Sequence, residues 1–110
     1  MTGDDGIVLT VIVPVKNEAD NVLPLIGEIR AALAGGPPYE ILYIDDGSTD
    51  ETLRRLTDAA KDTPQLRVLR HAKSCGQSAA LRTGVEGARG RVIATITEVA
   101  APSITTRPAC

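Results

Sequence analysis

The feature that most constrains this chain is its first apolar run, residues 7–15, which reads Ile-Val-Leu-Thr-Val-Ile-Val-Pro-Val. The run is rich in β-branched residues and shows no apolar/polar alternation, the pattern of a strand covered on both faces in a parallel sheet. It falls well short of the ~18 consecutive apolar residues a membrane span requires. Parallel neighbours need a crossover, usually a helix. From Asp20 onward Val22, Leu25, Ile26, Ile29, Ala32 and Leu33 recur at helical intervals, and Gly35-Gly36-Pro37-Pro38 then stops the helix.

The alternation continues along the chain. Residues 39–44 form a second expected strand that runs into Asp45-Asp46-Gly47-Ser48. Ser48 and Glu51 have capping-box spacing, which places a helix start near Thr49 and turns Leu53, Leu56 and Ala60 inward. Residues 66–70 and 92–96 read as strands three and four. Between them, residues 77–88 put Ala80, Leu81, Gly84, Val85 and Ala88 on one helical face. This order implies an α/β fold: a Rossmann-like, mainly parallel sheet with right-handed crossovers and helices on both faces. Ligands of such sheets sit beyond the carboxyl ends of the strands. The polar loops 16–18, 45–48 and 73–77 all fall there.

Composition narrows the function classes. With 110 residues there is material for one small domain, and with no Phe or Trp its core must be aliphatic. A net charge of -2 argues against a nucleic-acid partner, which requires many Lys and Arg on phosphates. The acidic N-terminus is unlike a signal peptide and no stretch is long and apolar enough for a membrane segment, so a cytoplasmic location is expected. Cys75 and Cys110 lack metal-ligand spacing. Residues 97–110 have neither helical nor strand period and read as an unstructured tail.

The turn after the first strand, Pro14-Val15-Lys16-Asn17-Glu18, contains no glycine, which excludes the dinucleotide fingerprint, and no P-loop is present. Asn17 and Glu18 face a ligand or merely lead into the first helix. Asp45 and Asp46 point opposite ways on an extended strand and therefore have separate roles. The pair serves a nucleotide or supports the next helix N-terminus. Gly76 and Gln77 offer amides to a diphosphate or form an ordinary turn. Arg82 reads as surface charge. His71, the one histidine, reads as structural, with no second metal ligand near it in sequence.

Three motifs, residues 11–18, 39–50 and 76–84, occur in an order and spacing that together resemble glycosyltransferase family 2. Within it they are most similar to dolichyl-phosphate mannosyltransferase-like and bacterial polyprenyl-phosphate sugar transferases. The resemblance runs from Leu9 to Ile96. It implies a GT-A-like fold, here incomplete, that binds a nucleoside diphosphate sugar with Mg²⁺ or Mn²⁺ and transfers a hexose to a lipid phosphate such as a polyprenyl phosphate, or to another acceptor. It further implies that Pro14, Asn17 and Glu18 line the base and ribose, that Asp46 contacts the nucleotide, and that Gly76 and Gln77 shape the donor pocket. Lys16 stands where the family often has an aromatic residue, and Lys73-Ser74-Cys75 where Arg-Asn-Phe is frequent. The family's Asp-x-Asp metal motif is replaced by Thr97-Glu98-Val99, so the metal ligands are absent from their expected positions. Residues 1–96 are therefore expected to be the nucleotide-binding part of such a domain, and 97–110 a divergent tail from a truncation or shifted frame. The chain alone is expected to be inactive. Its alternatives are a nucleotide-binding remnant without catalysis and, more remotely, an acidic-site α/β signalling domain.

Overall fold

The computed structural model describes residues 6–96; the expected tail at 97–110 lies outside the described residues. Strands and helices alternate as β1 (Leu9–Val15), α1 (Ala19–Leu33), β2 (Tyr39–Asp46), α2 (Thr52–Asp62), β3 (Leu66–His71), α3 (Gln77–Gly87) and β4 (Val92–Thr95). The sheet is parallel throughout, in the order β3-β2-β1-β4. β1 begins at Leu9 rather than at residue 7, and β2 runs on through both aspartates.

Strand alternation divides the core. Val11, Val13 and Val15 of β1 and Ile41 and Tyr43 of β2 pack against Val22, Ile26 and Ile29 of α1 and Leu56 and Ala59 of α2. Ile12, Leu42 and Ile44 point to the other face, against Ala80 of α3. Helices thus cover both faces. Each buried aliphatic side chain contributes about 1.5–3 kcal/mol, so the first face is the main source of stability. α3 approaches very closely because Gly84 has no side chain: a Cβ there would lie 2.6 Å from Ile12 Cγ2 and 2.9 Å from Ile44 Cδ1.

Pro14 sits in a central strand, where a missing N–H usually breaks the ladder. Here it does not, because the β1–β4 pairing ends at Ile12↔Thr95 and Ile12 O accepts the last bond, from the Ile96 amide, at 2.9 Å. The backbone N of Pro14 faces the same side as Ile12, one step past that rung.

Three local expectations change. Helix α2 starts at Thr52 with no side-chain cap bond at Glu51, so the Ser48–Glu51 capping box does not form. Ser48 is recruited elsewhere, accepting the amide of the distant Asn17 at 2.8 Å and donating to Asp45, three residues before it, while Asp50 accepts the Thr52 amide at 2.9 Å. Leu53 and Ala60 are only half-buried; the buried stripe of α2 is Thr52, Leu56 and Ala59. Val85, expected inward, is 51% exposed. α3 meets the sheet through the narrow stripe of Ala80 and Gly84, and Val85 lies about 100° round the helix from Gly84.

Candidate functional site

The three polar loops meet at the carboxyl ends of β1, β2 and β3, and hydrogen bonds between them fix their relative positions. Asn17 adopts a left-handed backbone (φ 53°), a conformation that Asn tolerates better than most residues. That turn aims its Oδ1 at the second loop, where it accepts the Thr49 amide at 2.8 Å and the Asp50 amide at 3.3 Å. The Glu18 amide donates to Thr52 Oγ1 at 2.9 Å, and Glu18 Oε1 accepts from Asn21 Nδ2 at 2.7 Å.

Asp46 ties the second loop to the third. Its Oδ1 accepts the Cys75 amide at 2.9 Å and lies 2.7 Å from His71 Nδ1; its Oδ2 accepts the Gly76 amide at 2.9 Å and the Ser74 hydroxyl at 3.1 Å. A carboxylate offers about four lone-pair sites, so this one is filled. Burial by itself raises the Asp46 pKa, but the bonds from Cys75, His71, Gly76 and Ser74 outweigh it and hold the group below its ordinary value. Asp46 is therefore ionised and accepts only. Gly47 follows with φ +73°, and a Cβ there would lie 2.5 Å from the Ser74 nitrogen, so the two loops touch backbone to backbone. Asp45 points to the opposite face and accepts from Ser48. The adjacent aspartates do have separate roles.

Together the loops enclose a cavity of about 290 Å³ lined by Pro14, Val15, Lys16, Glu18, Asp46, Ser74, Gly76, Gln77 and Ala80. That volume is at the lower edge of small-molecule sites, roughly 300–1,000 Å³. Of the residues singled out in the sequence, Pro14, Glu18, Asp46, Gly76 and Gln77 line it. Asn17 does not, because its side chain is spent on the 49–50 backbone. Gly76 is the N-cap of α3 with φ 99°, and the first α3 bond runs from the Ala80 amide to its carbonyl. The helix thus opens onto the cavity with its first-turn amides, which attract negative charge. A wider, more open depression of about 720 Å³ lies around Arg30, the 33–39 turn and Gln65, away from all three loops.

His71 and Thr83 were not singled out for this site. His71 lies within 2.7 Å of Asp46 and, through Nε2, within 2.8 Å of Thr83 on α3. Its place at the end of an expected strand was visible in the sequence; its register opposite Asp46 required the sheet.

One group among the described residues, Asp46, His71 and Cys75, brings possible metal-ligand atoms within 4.8 Å of one another. The Cys75 sulfur is bonded in a disulfide, which leaves Asp46 as the candidate co-ligand of His71 in this group. The set does not fit Mg²⁺ or Mn²⁺, which favour several hard oxygens, since it offers one carboxylate and one imidazole. Asp46 and His71 also spend their facing atoms on each other. No helix among the described residues is long and apolar enough to cross a membrane.

Comparison with known proteins gives a consistent result. Residues 10–98 match the family model described as Glycosyl transferase family 2, which reaches two positions past Ile96. A dodecaprenyl-phosphate galacturonate synthase from Rhizobium johnstonii is 38% identical over 90 residues, covering 80% of this chain and 27% of that protein. A dolichyl-phosphate beta-glucosyltransferase from Trichomonas vaginalis is 36% identical over 90 residues, covering 76% and 27%. The structure of a mannosyltransferase from Pyrobaculum calidifontis in complex with GDP-Man and Mn²⁺ superposes with a TM-score of 0.69 at 28% identity, over 77% of this chain and 25% of that one. The chain thus spans about a quarter of the length of the relatives it matches.

Proposed function

The chain belongs to glycosyl transferase family 2, and on that premise we propose that it forms the part of a sugar transferase that holds the nucleotide of a nucleoside diphosphate sugar. One observation carries this reading: three loops from separate strands close on a single cavity at the carboxyl edge of a parallel sheet. Pro14 offers an apolar wall for a base, and Glu18 offers a carboxylate for ribose hydroxyl donors. The α3 amides beyond Gly76, with Lys16 at the rim, suit the diphosphate. Asp46 serves from within the wall, since its four acceptor positions are already taken, and Asn17 holds the first loop against the second.

For the whole protein we propose transfer of a hexose to a polyprenyl phosphate at the cytoplasmic face of a membrane, with a divalent metal bound by residues other than those described. The support is the nature of the relatives, whose names specify dodecaprenyl and dolichyl phosphates, and the Mn²⁺ in the Pyrobaculum structure. A second reading, binding without transfer, is favoured by Thr97-Glu98-Val99 in place of an Asp-x-Asp motif. Assay of the whole protein with nucleotide sugars, Mg²⁺ or Mn²⁺ and polyprenyl phosphate separates the two: turnover would eliminate the second, and nucleotide binding without turnover would eliminate the first.

The test of the cavity is calorimetric titration with UDP and with GDP. Saturable binding of one or both is expected, and Gln77→Trp, which fills the mouth from an exposed position, should abolish it at unchanged melting temperature. Absence of binding by the wild type, or binding indifferent to Gln77→Trp, would overturn the assignment.

A further inference from the structure

We propose that His71 is a positioning residue for the nucleotide cavity, locking Asp46 through Nδ1 and α3 through Thr83, so that the Cys75 and Gly76 amides are held as a rigid wall. The proposal deepens the nucleotide-binding reading and rests on it. It starts from the register of the sheet, which pairs Asp46 with His71 across β2 and β3. The imidazole then bridges two elements: Nδ1 lies 2.7 Å from Asp46 Oδ1 and Nε2 lies 2.8 Å from Thr83 Oγ1. Its side chain is 14% exposed and that of Asp46 7%, so water competes weakly for either bond.

The hydrogen positions follow from chemistry. An ionised carboxylate has no hydrogen to give, so Nδ1 must carry the hydrogen and donate it to Asp46. That leaves Nε2 to meet the Thr83 hydroxyl, which can donate to a neutral ring or accept from a charged one. The bridge therefore survives in either ring state. Without it, Asp46 would keep its Cys75, Gly76 and Ser74 donors, but its carboxylate would lose the one donor arriving from β3. Because Gly47 already meets Ser74 backbone to backbone, a small rotation of Asp46 shifts the whole turn and with it the first turn of α3.

The mechanism makes His71 affect a ligand that it need not touch. In ¹⁵N-labelled chain, ring-nitrogen shifts should report a protonated Nδ1, and the Cys75 and Gly76 amides should exchange slowly with solvent. His71→Ala should speed that exchange and weaken UDP or GDP binding by about tenfold, the scale expected for one hydrogen bond to a charged group. His71→Asn, whose amide nitrogen reaches the position of Nδ1, should restore most of both. Thr83→Val should give a smaller loss. Should His71→Ala fail to fold, the Asn and Val variants still rank the two halves of the bridge. A bare Nδ1 in the wild type, or unchanged amide exchange in folded His71→Ala, would overturn the proposal. If wild-type chain binds neither UDP nor GDP, the cavity reading fails, while the ring and exchange measurements still decide the positioning role.

Discussion

Glu40 and Asp46 lie near opposite ends of β2, point to the same face of the sheet, and are both buried, at 2% and 5% exposure. Each holds one end of α3. Glu40 accepts from Arg67 Nη1, from Thr10 Oγ1 and from the Arg89 amide, each at 2.7 Å, and Arg67 also reaches the Gly87 carbonyl at 3.1 Å. Gly90 donates to the same Thr10 hydroxyl at 2.8 Å. This end is a closed latch around the exit of α3: a charge, its counter-charge and the backbone satisfy one another. Asp46 is just as fully bonded, but by backbone amides, a hydroxyl and an imidazole, with no full counter-ion required. Its donors form a turn that lines a cavity. A buried carboxylate paired with a guanidinium closes a structure, whereas one paired with amides can shape a wall and leave room beside it.

The largest effect is expected at the latch. Glu40→Ala removes the buried carboxylate that accepts from Arg67, Thr10 and the Arg89 amide, so we expect a loss of about 3–5 kcal/mol in urea unfolding, the scale for removing one partner of a buried pair. Gly47→Ala should cost roughly 1–3 kcal/mol, from left-handed strain and contact with Ser74, and should also weaken nucleotide binding; equal binding would show that the two loops tolerate separation. Asp46→Asn keeps the shape but turns one acceptor into a donor facing an amide. We expect about 1–2 kcal/mol of destabilisation and a proportionally larger fall in UDP or GDP affinity. Should the affinity loss merely track stability, the contrast between latch and wall would disappear.

Acidification probes both ends at once. Burial opposes the charged form of Glu40, yet Arg67, the Arg89 amide and Thr10 hold its pKa below the ordinary carboxylate value, as their counterparts do for Asp46. Groups depressed on folding contribute stability above their unfolded values and lose it as pH falls through the folded ones. Stability should therefore be level near neutrality and decline as pH drops below those values. Glu40→Gln should flatten part of that decline in pH-dependent melting curves. The smallest effect is expected at Arg82, which is exposed. Arg82→Ala should change stability by less than about 0.5 kcal/mol, and a marked loss of nucleotide affinity would assign it to the diphosphate.

Much of this was legible in the residues. Aliphatic runs without alternation, spaced by amphipathic stretches, determine a parallel α/β sheet because each strand must be covered twice and each crossover needs a helix. The same local pattern put three polar loops at one edge. What the chain could not show by spacing alone was who bonds to whom across that edge. Ser48 has the spacing of a helix cap, but the register of β1 and β2 brings Asn17 to it, and a partner more than thirty positions away wins over one three positions away. Val85 has the period of a buried residue, yet the close approach allowed by Gly84 narrows the contact and leaves it outside. His71 is an unremarkable residue at a strand end until β3 aligns beside β2 and sets it against Asp46. Local periodicity is written in neighbouring side chains and fixes elements and faces; hydrogen-bond partners between loops depend on strand register, which only the packed sheet decides.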